Sequence, residues 1–131
     1  MTVYVFGNED VNNDCQALHA ANFLKGKIVG VNFKVLNPND DIFFDEINPV
    51  ILDTVWGIRQ IRVIRDIGKI QKTKSTTVHD FDLGFQLRYL KKLGKINKVT
   101  IIGIPAAAED INYLRIQSIL RKLVAQDMQG S

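Results

Sequence analysis

The sequence predicts a three-layer α/β/α domain whose sheet is mostly parallel with one antiparallel strand. Three observations carry this expectation. Short apolar, β-branched runs alternate along the chain with segments of helical period, the signature of strand–helix–strand units joined by right-handed crossovers. One run, Pro49-Val50-Ile51-Leu52, has no polar alternation, as expected of a strand covered on both faces. The run Ile58–Ile64 follows it after too few residues for a crossover helix, so that strand is antiparallel.

Each element has its own local cause. Val3-Tyr4-Val5-Phe6 is a β-branched and aromatic run stopped by Gly7-Asn8, hence a buried strand. Ala17, Leu18, Ala21 and Leu24 recur at helical spacing after Asp14, and Gly26 supplies a stop. Val31–Leu36 reads as a second strand ended by Asn37-Pro38. The segment Asp40–Asn48 has room for one or two helical turns at most. A third strand then runs up to Asp53, which is placed at its end. Ile58–Ile64 mixes isoleucines with arginines, as an edge strand with one wet face does. From His79 onward, Leu83, Leu87 and Leu90 mark a helix face that closes at Gly94. Val99–Ile102 is the last strand, ended by Gly103 and Pro105, and Ile111, Leu114, Ile119, Leu120 and Leu123 form a final helix.

Bulk properties set the outer bounds. At 131 residues the chain fits one domain over positions 1–131, long enough to bury a real core. No apolar run approaches the ~20 residues that cross a bilayer, and MTVYVFGNED reads as a first strand rather than a signal peptide. The expectation is a cytoplasmic protein without a membrane partner. A single cysteine, Cys15, excludes an internal disulfide and suits a reducing compartment. The net charge of +3 is too small to argue for nucleic acid. Basic residues nevertheless cluster at Lys69, Lys72 and Lys74 and again at Arg88, Lys91, Lys92, Lys95 and Lys98. That is either a solvated helix face or a docking surface for an acidic partner.

Ligands of such sheets bind beyond the carboxyl ends of the strands, where strand order reverses. Three donors fall there by position: Asp14 after the first strand, Asp53 at the end of the third, and His79 at the start of the long helix. Each has a plainer reading. Asp14 could cap the first helix, Asp53 could cap a turn, and His79 could be a surface residue of a first helical turn. Against these, an acid directly after Val-Ile-Leu is costly unless partnered or facing a cleft. A helix N-terminus also favours a neutral imidazole able to bind metal. Thr77-Val78-His79-Asp80 has the outline of a capping box, which supports a helix start there. Two carboxylates and one imidazole suit zinc, nickel or a similar ion while leaving positions open. Cys15 as a fourth ligand, His19 as a ligand, and Trp56 as a packing surface for substrate are weighed against ordinary packing or exposure.

These residues resemble the hydrogenase maturation proteases. Val5-Phe6-Gly7-Asn8 followed by Asp14 is similar to the family's opening, and Ile51-Leu52-Asp53-Thr54-Val55 is similar to its second motif. Thr76-Thr77-Val78-His79 with Leu83 resembles its third, and Ile101-Ile102-Gly103-Ile104-Pro105 its last-strand signature. Order and spacing agree over nearly the whole chain. The resemblance implies a phosphorylase/hydrolase-like fold. It implies an endopeptidase that trims the C-terminal extension of a nickel–iron hydrogenase large-subunit precursor once nickel is inserted. Asp14, Asp53 and His79 would then contact the substrate-borne nickel, and zinc or cadmium could substitute for it in a crystal. No Ser or Cys nucleophile with a partnered base is apparent, so water is the natural nucleophile.

The chain departs from the family at Asn13, where a second acid usually stands, and at Asn37-Pro38-Asn39-Asp40, where a Gly-Gly turn is usual. The segment before the third strand is also shorter. A non-catalytic metal- or peptide-binding relative is therefore the main rival function. A receiver-like regulatory domain lacks its last-strand Lys, with Ile104-Pro105 in that place. A peptidyl-tRNA hydrolase lacks its basic segment around His19.

Overall fold

A computed structural model describes residues 1–7, 15–36, 42–65, 78–106 and 110–129, with side chains for all of these except 78–82 and 129. The elements in chain order are β1 (Thr2–Phe6), α1 (Gln16–Leu24), β2 (Asn32–Leu36), β3 (Val50–Val55), β4 (Arg62–Ile64), α2 (Val78–Lys92), β5 (Thr100–Pro105) and α3 (Tyr113–Gln129). The strands form one sheet in the order β2-β1-β3-β5-β4. β1 pairs in parallel with β2 and β3, and β3 with β5, while β4 lies antiparallel on β5. The fold is the predicted α/β class, mostly parallel with one antiparallel strand.

Alternation along the central strands divides the interior into two cores. Val3, Val5, Val50, Leu52, Ile102 and Ile104 face one way and pack with Leu18 and Leu24 of α1 and Ile116 and Leu120 of α3. Tyr4, Phe6, Ile51 and Ile101 face the other way, against Leu83 and Leu87 of α2. Because β3 is central, all six of its residues are buried, which is what its unbroken apolar run foretold. α3 buries Ile116 and Leu120, one turn apart, and leaves Leu114 exposed. Leu114 therefore does not belong to the core face assigned from sequence; at about 100° per residue it points roughly opposite to Ile116.

Three boundaries differ from those read in the sequence. β3 does not stop at Asp53 but continues to Val55, because β5 pairs Thr54 with Ile104 and Val55 with Pro105. β5 likewise runs through Gly103 to Pro105. The antiparallel strand is only Arg62–Ile64 rather than Ile58–Ile64. Its neighbour is β5, not β3, so the chain leaving β3 must cross the end of β5, two strand spacings or about 9.6 Å. Residues 56–61 are used for that crossing. It starts at Gly57, whose φ of +85° is the left-handed turn conformation that glycine adopts without strain. Ile58 and Ile61 are both buried. Ile61 joins the α1/α3 core, while Ile58 approaches Gly103.

Residues 42–49 contain no helix and are held instead through Tyr4. Its hydroxyl donates to Glu46 Oε2 at 2.6 Å and accepts from the Asp45 N–H at 3.2 Å. Burial, with the Glu46 hydrogen bond second, pushes the phenol up to about 12. The folded chain thus favours the protonated phenol. That stabilisation is complete below the unfolded value of about 10 and is lost as pH rises from there through the folded value. Tyr4→Phe is expected to cost about 1–2 kcal/mol at pH 8. The difference between the two proteins should shrink between about pH 10 and 12, read from urea midpoints.

Candidate functional site at the carboxyl edge of the sheet

The strand order reverses between β1, which leads outward to β2, and β3, which begins the other half of the sheet. The carboxyl ends of these two strands form the switch point at which open α/β sheets bind ligands. Asp53 sits on β3 near this edge, 3% exposed. A carboxylate is costly to bury unless polar groups receive it. Here Oδ1 accepts the Thr54 N–H at 2.9 Å. By alternation from Ile51, its side chain lies on the α2 side of the sheet. Asp53 is thus an interior strand residue rather than a strand terminus.

Gly103 of β5 pairs with Asp53. A Cβ there would lie 3.0 Å from Val55 Cγ2 and 3.3 Å from Ile58 Cδ1, so a side chain beside Asp53 would have to push these two side chains back by a few tenths of an ångström. On the far side of Gly103, Arg62 of β4 occupies the same row.

Thr54 points the opposite way, towards α1. Its Oγ1 accepts the Ala17 N–H at 3.1 Å. α1 opens on Cys15, which makes no side-chain cap, so the hydroxyl of β3 satisfies one of the free N–H groups of the first turn. An N-cap bond of this kind contributes about 1 kcal/mol, and here it fixes the start of α1 to the carboxyl end of β3. Sequence reading treated Thr54 only as a small residue after Asp53. The signal that finds it is strand alternation, which sends neighbours of an inward acid to the opposite helix layer.

α2 approaches from the other side. Beyond its end, the Asn97 N–H donates to Ile47 O at 2.6 Å and the Lys98 N–H to Asn48 Oδ1 at 3.0 Å. These bonds hold the α2–β5 link beside the start of β3, at the amino edge. Fifteen residues at about 1.5 Å each carry the helix back some 22 Å, about the length of β5. The first turn of α2, Val78 and His79, therefore lies at the carboxyl edge, on the face that Asp53 shares.

Asp14 lies outside the described residues, as does the side chain of His79. Among the described residues no group of three or more His, Cys, Asp or Glu could hold a metal ion. Of the three predicted donors, then, only Asp53 has a described side chain. Cys15 is half-buried, forms no disulfide and packs against the α1/α3 core, and His19 is exposed. Trp56 directly follows β3, with its indole Nε1 buried and no hydrogen-bond partner among the described residues. A cavity of about 280 Å³ opens nearby between the crossing segment and the start of α3, with Arg59, Gln60, Asn112 and Arg115 among its walls. Asp53 does not line it.

Among solved structures, the chain is similar to the hydrogenase maturating endopeptidase HybD from E. coli, with a TM-score of 0.62 over 99% of this chain and 93% of that one. The fold is that of the hydrogenase maturation endopeptidases. Sequence identity to HybD is 14%. An endopeptidase from Escherichia coli is similar at a TM-score of 0.58 and 12% identity, covering 98% of this chain and 90% of that one. A hydrogenase 2 maturation peptidase from a Thaumarchaeota archaeon gives 0.52 and 15%, covering 98% and 97%. No protein-family profile and no curated protein sequence matches the chain. The maturation-endopeptidase fold is therefore established at the level of backbone architecture, and no helix among the described residues is long and apolar enough to cross a membrane.

Proposed function

We propose that this chain is a hydrogenase-maturation endopeptidase. In this reading it removes the C-terminal extension of a nickel–iron hydrogenase large-subunit precursor after nickel insertion, and Asp14, Asp53 and His79 contact the nickel that the substrate carries. The observation that carries the reading is the buried Asp53 carboxylate at the switch point, on the face where α2 begins. An ionisable group in the interior of an otherwise apolar strand is retained at a cost, and a cationic substrate centre is a physical reason to keep it. The likeness of the whole backbone to named maturation peptidases supports the same reading.

Chemically, the bound nickel serves as an address. Holding it fixes the adjoining peptide against the edge of the sheet and removes most of the positional freedom of the reaction. A metal beside the scissile carbonyl also polarises it. Water then adds to the carbonyl carbon, the C–N bond breaks, and the departing amine takes up a proton. The cavity beside the α3 N-terminus offers space for the substrate chain on the neighbouring side of the edge.

The test is incubation with a nickel-loaded large-subunit precursor, following loss of its C-terminal extension by mass. Wild type is expected to process the nickel-loaded form and to leave the nickel-free form intact. Metal binding without cleavage would instead support the non-catalytic binding relative. If Asp14→Ala, Asp53→Ala and His79→Ala each leave cleavage and metal binding unchanged, the proposed ligand set is wrong.

A further inference from the structure

α2 is apolar on two opposite sides, and the fold uses only one. Leu83 and Leu87 enter the core with Leu90 packed beside them. Phe85, Tyr89 and Leu93, spaced four residues apart, are 57%, 56% and 53% exposed. At about 100° per residue, Phe85 lies roughly opposite the Leu83–Leu87 face. A helix that only covered a sheet would carry polar residues there. These three instead form a ridge about 12 Å long on the outside of the domain.

After Asp82, the charge along this helix has one sign. From Leu83 to Lys98 the chain holds Arg88, Lys91, Lys92, Lys95 and Lys98 and not one acidic residue. Of the 17 basic and 14 acidic residues, 12 basic and all 14 acidic lie elsewhere, so this stretch holds more than the whole net charge of +3. Helical spacing puts Arg88 and Lys92 on one flank of the ridge and the neutral Gln86 towards the other. Cations crowded in this way repel one another and attract a negative surface.

We propose that the outer face of α2 docks an acidic amphipathic helix of a partner protein. Phe85, Tyr89 and Leu93 would fill its apolar groove, and Arg88 and Lys92 would meet a row of carboxylates along one side. A helix partner fits because residues at i, i+4 and i+8 make a ridge that packs into the groove of another helix. The one-sided charge also gives such a partner a direction. A second copy of this chain is disfavoured, since it would bring cations against cations. A membrane surface offers no one-sided row of charge and no groove. The inference is independent of the proposed metal site.

The test is fluorescence anisotropy of the full chain with a labelled synthetic peptide of roughly 18 residues, bearing Leu at i, i+4 and i+8 and Glu along one flank. Wild type is expected to bind in the micromolar range and to weaken as salt is raised. The double variants Phe85→Ser/Tyr89→Ser and Arg88→Glu/Lys92→Glu should each lose at least about tenfold in affinity, with unchanged circular dichroism. A scrambled peptide of the same composition should bind at least about tenfold more weakly. Failure of wild type to bind, or equal binding of the scrambled peptide or by either double variant, overturns the proposal. So does tighter binding to phosphatidylserine vesicles or to single-stranded DNA than to the peptide.

Discussion

Asp53→Asn is expected to leave the chain folded while lowering cleavage of a nickel-loaded precursor on the order of 100-fold or more. The two side chains have nearly the same shape, and the amide keeps an oxygen to accept the Thr54 N–H now bonded at 2.9 Å. The pairing with Gly103 is unaffected, because asparagine adds no bulk to that row. What disappears is one negative charge in a nearly dry position, and a neutral amide oxygen is a much weaker partner for a divalent metal. Because the shape and the Thr54 bond are kept, the variant should melt within a few degrees of wild type, on the order of 1 kcal/mol or less. Single-turnover cleavage beside a calorimetric melt reads both quantities. Full activity in a folded Asp53→Asn protein would remove Asp53 from the site.

Leu87→Ala carries the largest expected effect on stability. Leu87 is fully buried and packs with Leu83 in the core formed by Tyr4, Phe6, Ile51 and Ile101. Truncation removes transfer energy and leaves a cavity that neighbouring strands cannot close, a loss of about 2–5 kcal/mol. Native domains have only about 5–15 kcal/mol to lose, so the melting temperature should fall on the order of 10 °C. Phe85→Ala, two residues earlier on the exposed side of the same helix, should change stability by no more than about 0.5 kcal/mol. Equal destabilisation by the two changes would mean that the faces of α2 are wrongly assigned.

Much of the fold was legible because each element carries its own local cause. The unbroken Pro49–Leu52 run announced a strand covered on both faces, and Leu83, Leu87 and Leu90 announced the buried side of α2. Short spacing after β3 forced an antiparallel strand. Strand ends were not legible, since they depend on how far the neighbour extends: β5 pairs as far as Val55 and Pro105 and so draws Asp53 into the strand interior. The shortening of β4 has the same kind of cause, because isoleucine spacing does not reveal that the chain must first pass over β5.

The candidate site divides in a similar way. Sequence alone singled out Asp53 as an acid out of place in an apolar strand, and placed it with Asp14 and His79 among the donors at the carboxyl edge. Tertiary structure decided that Asp53 is buried on the α2 face beside a tightly packed glycine. It also decided that Thr54, facing the other layer, ties down the start of α1. The physical reason is the range of the interactions. Periodicity, caps and turns act over a few residues and can be read along the chain. The burial of a carboxylate, the clearance at Gly103 and the bond from Ala17 to Thr54 join segments tens of residues apart, so they exist only once the sheet has been assembled.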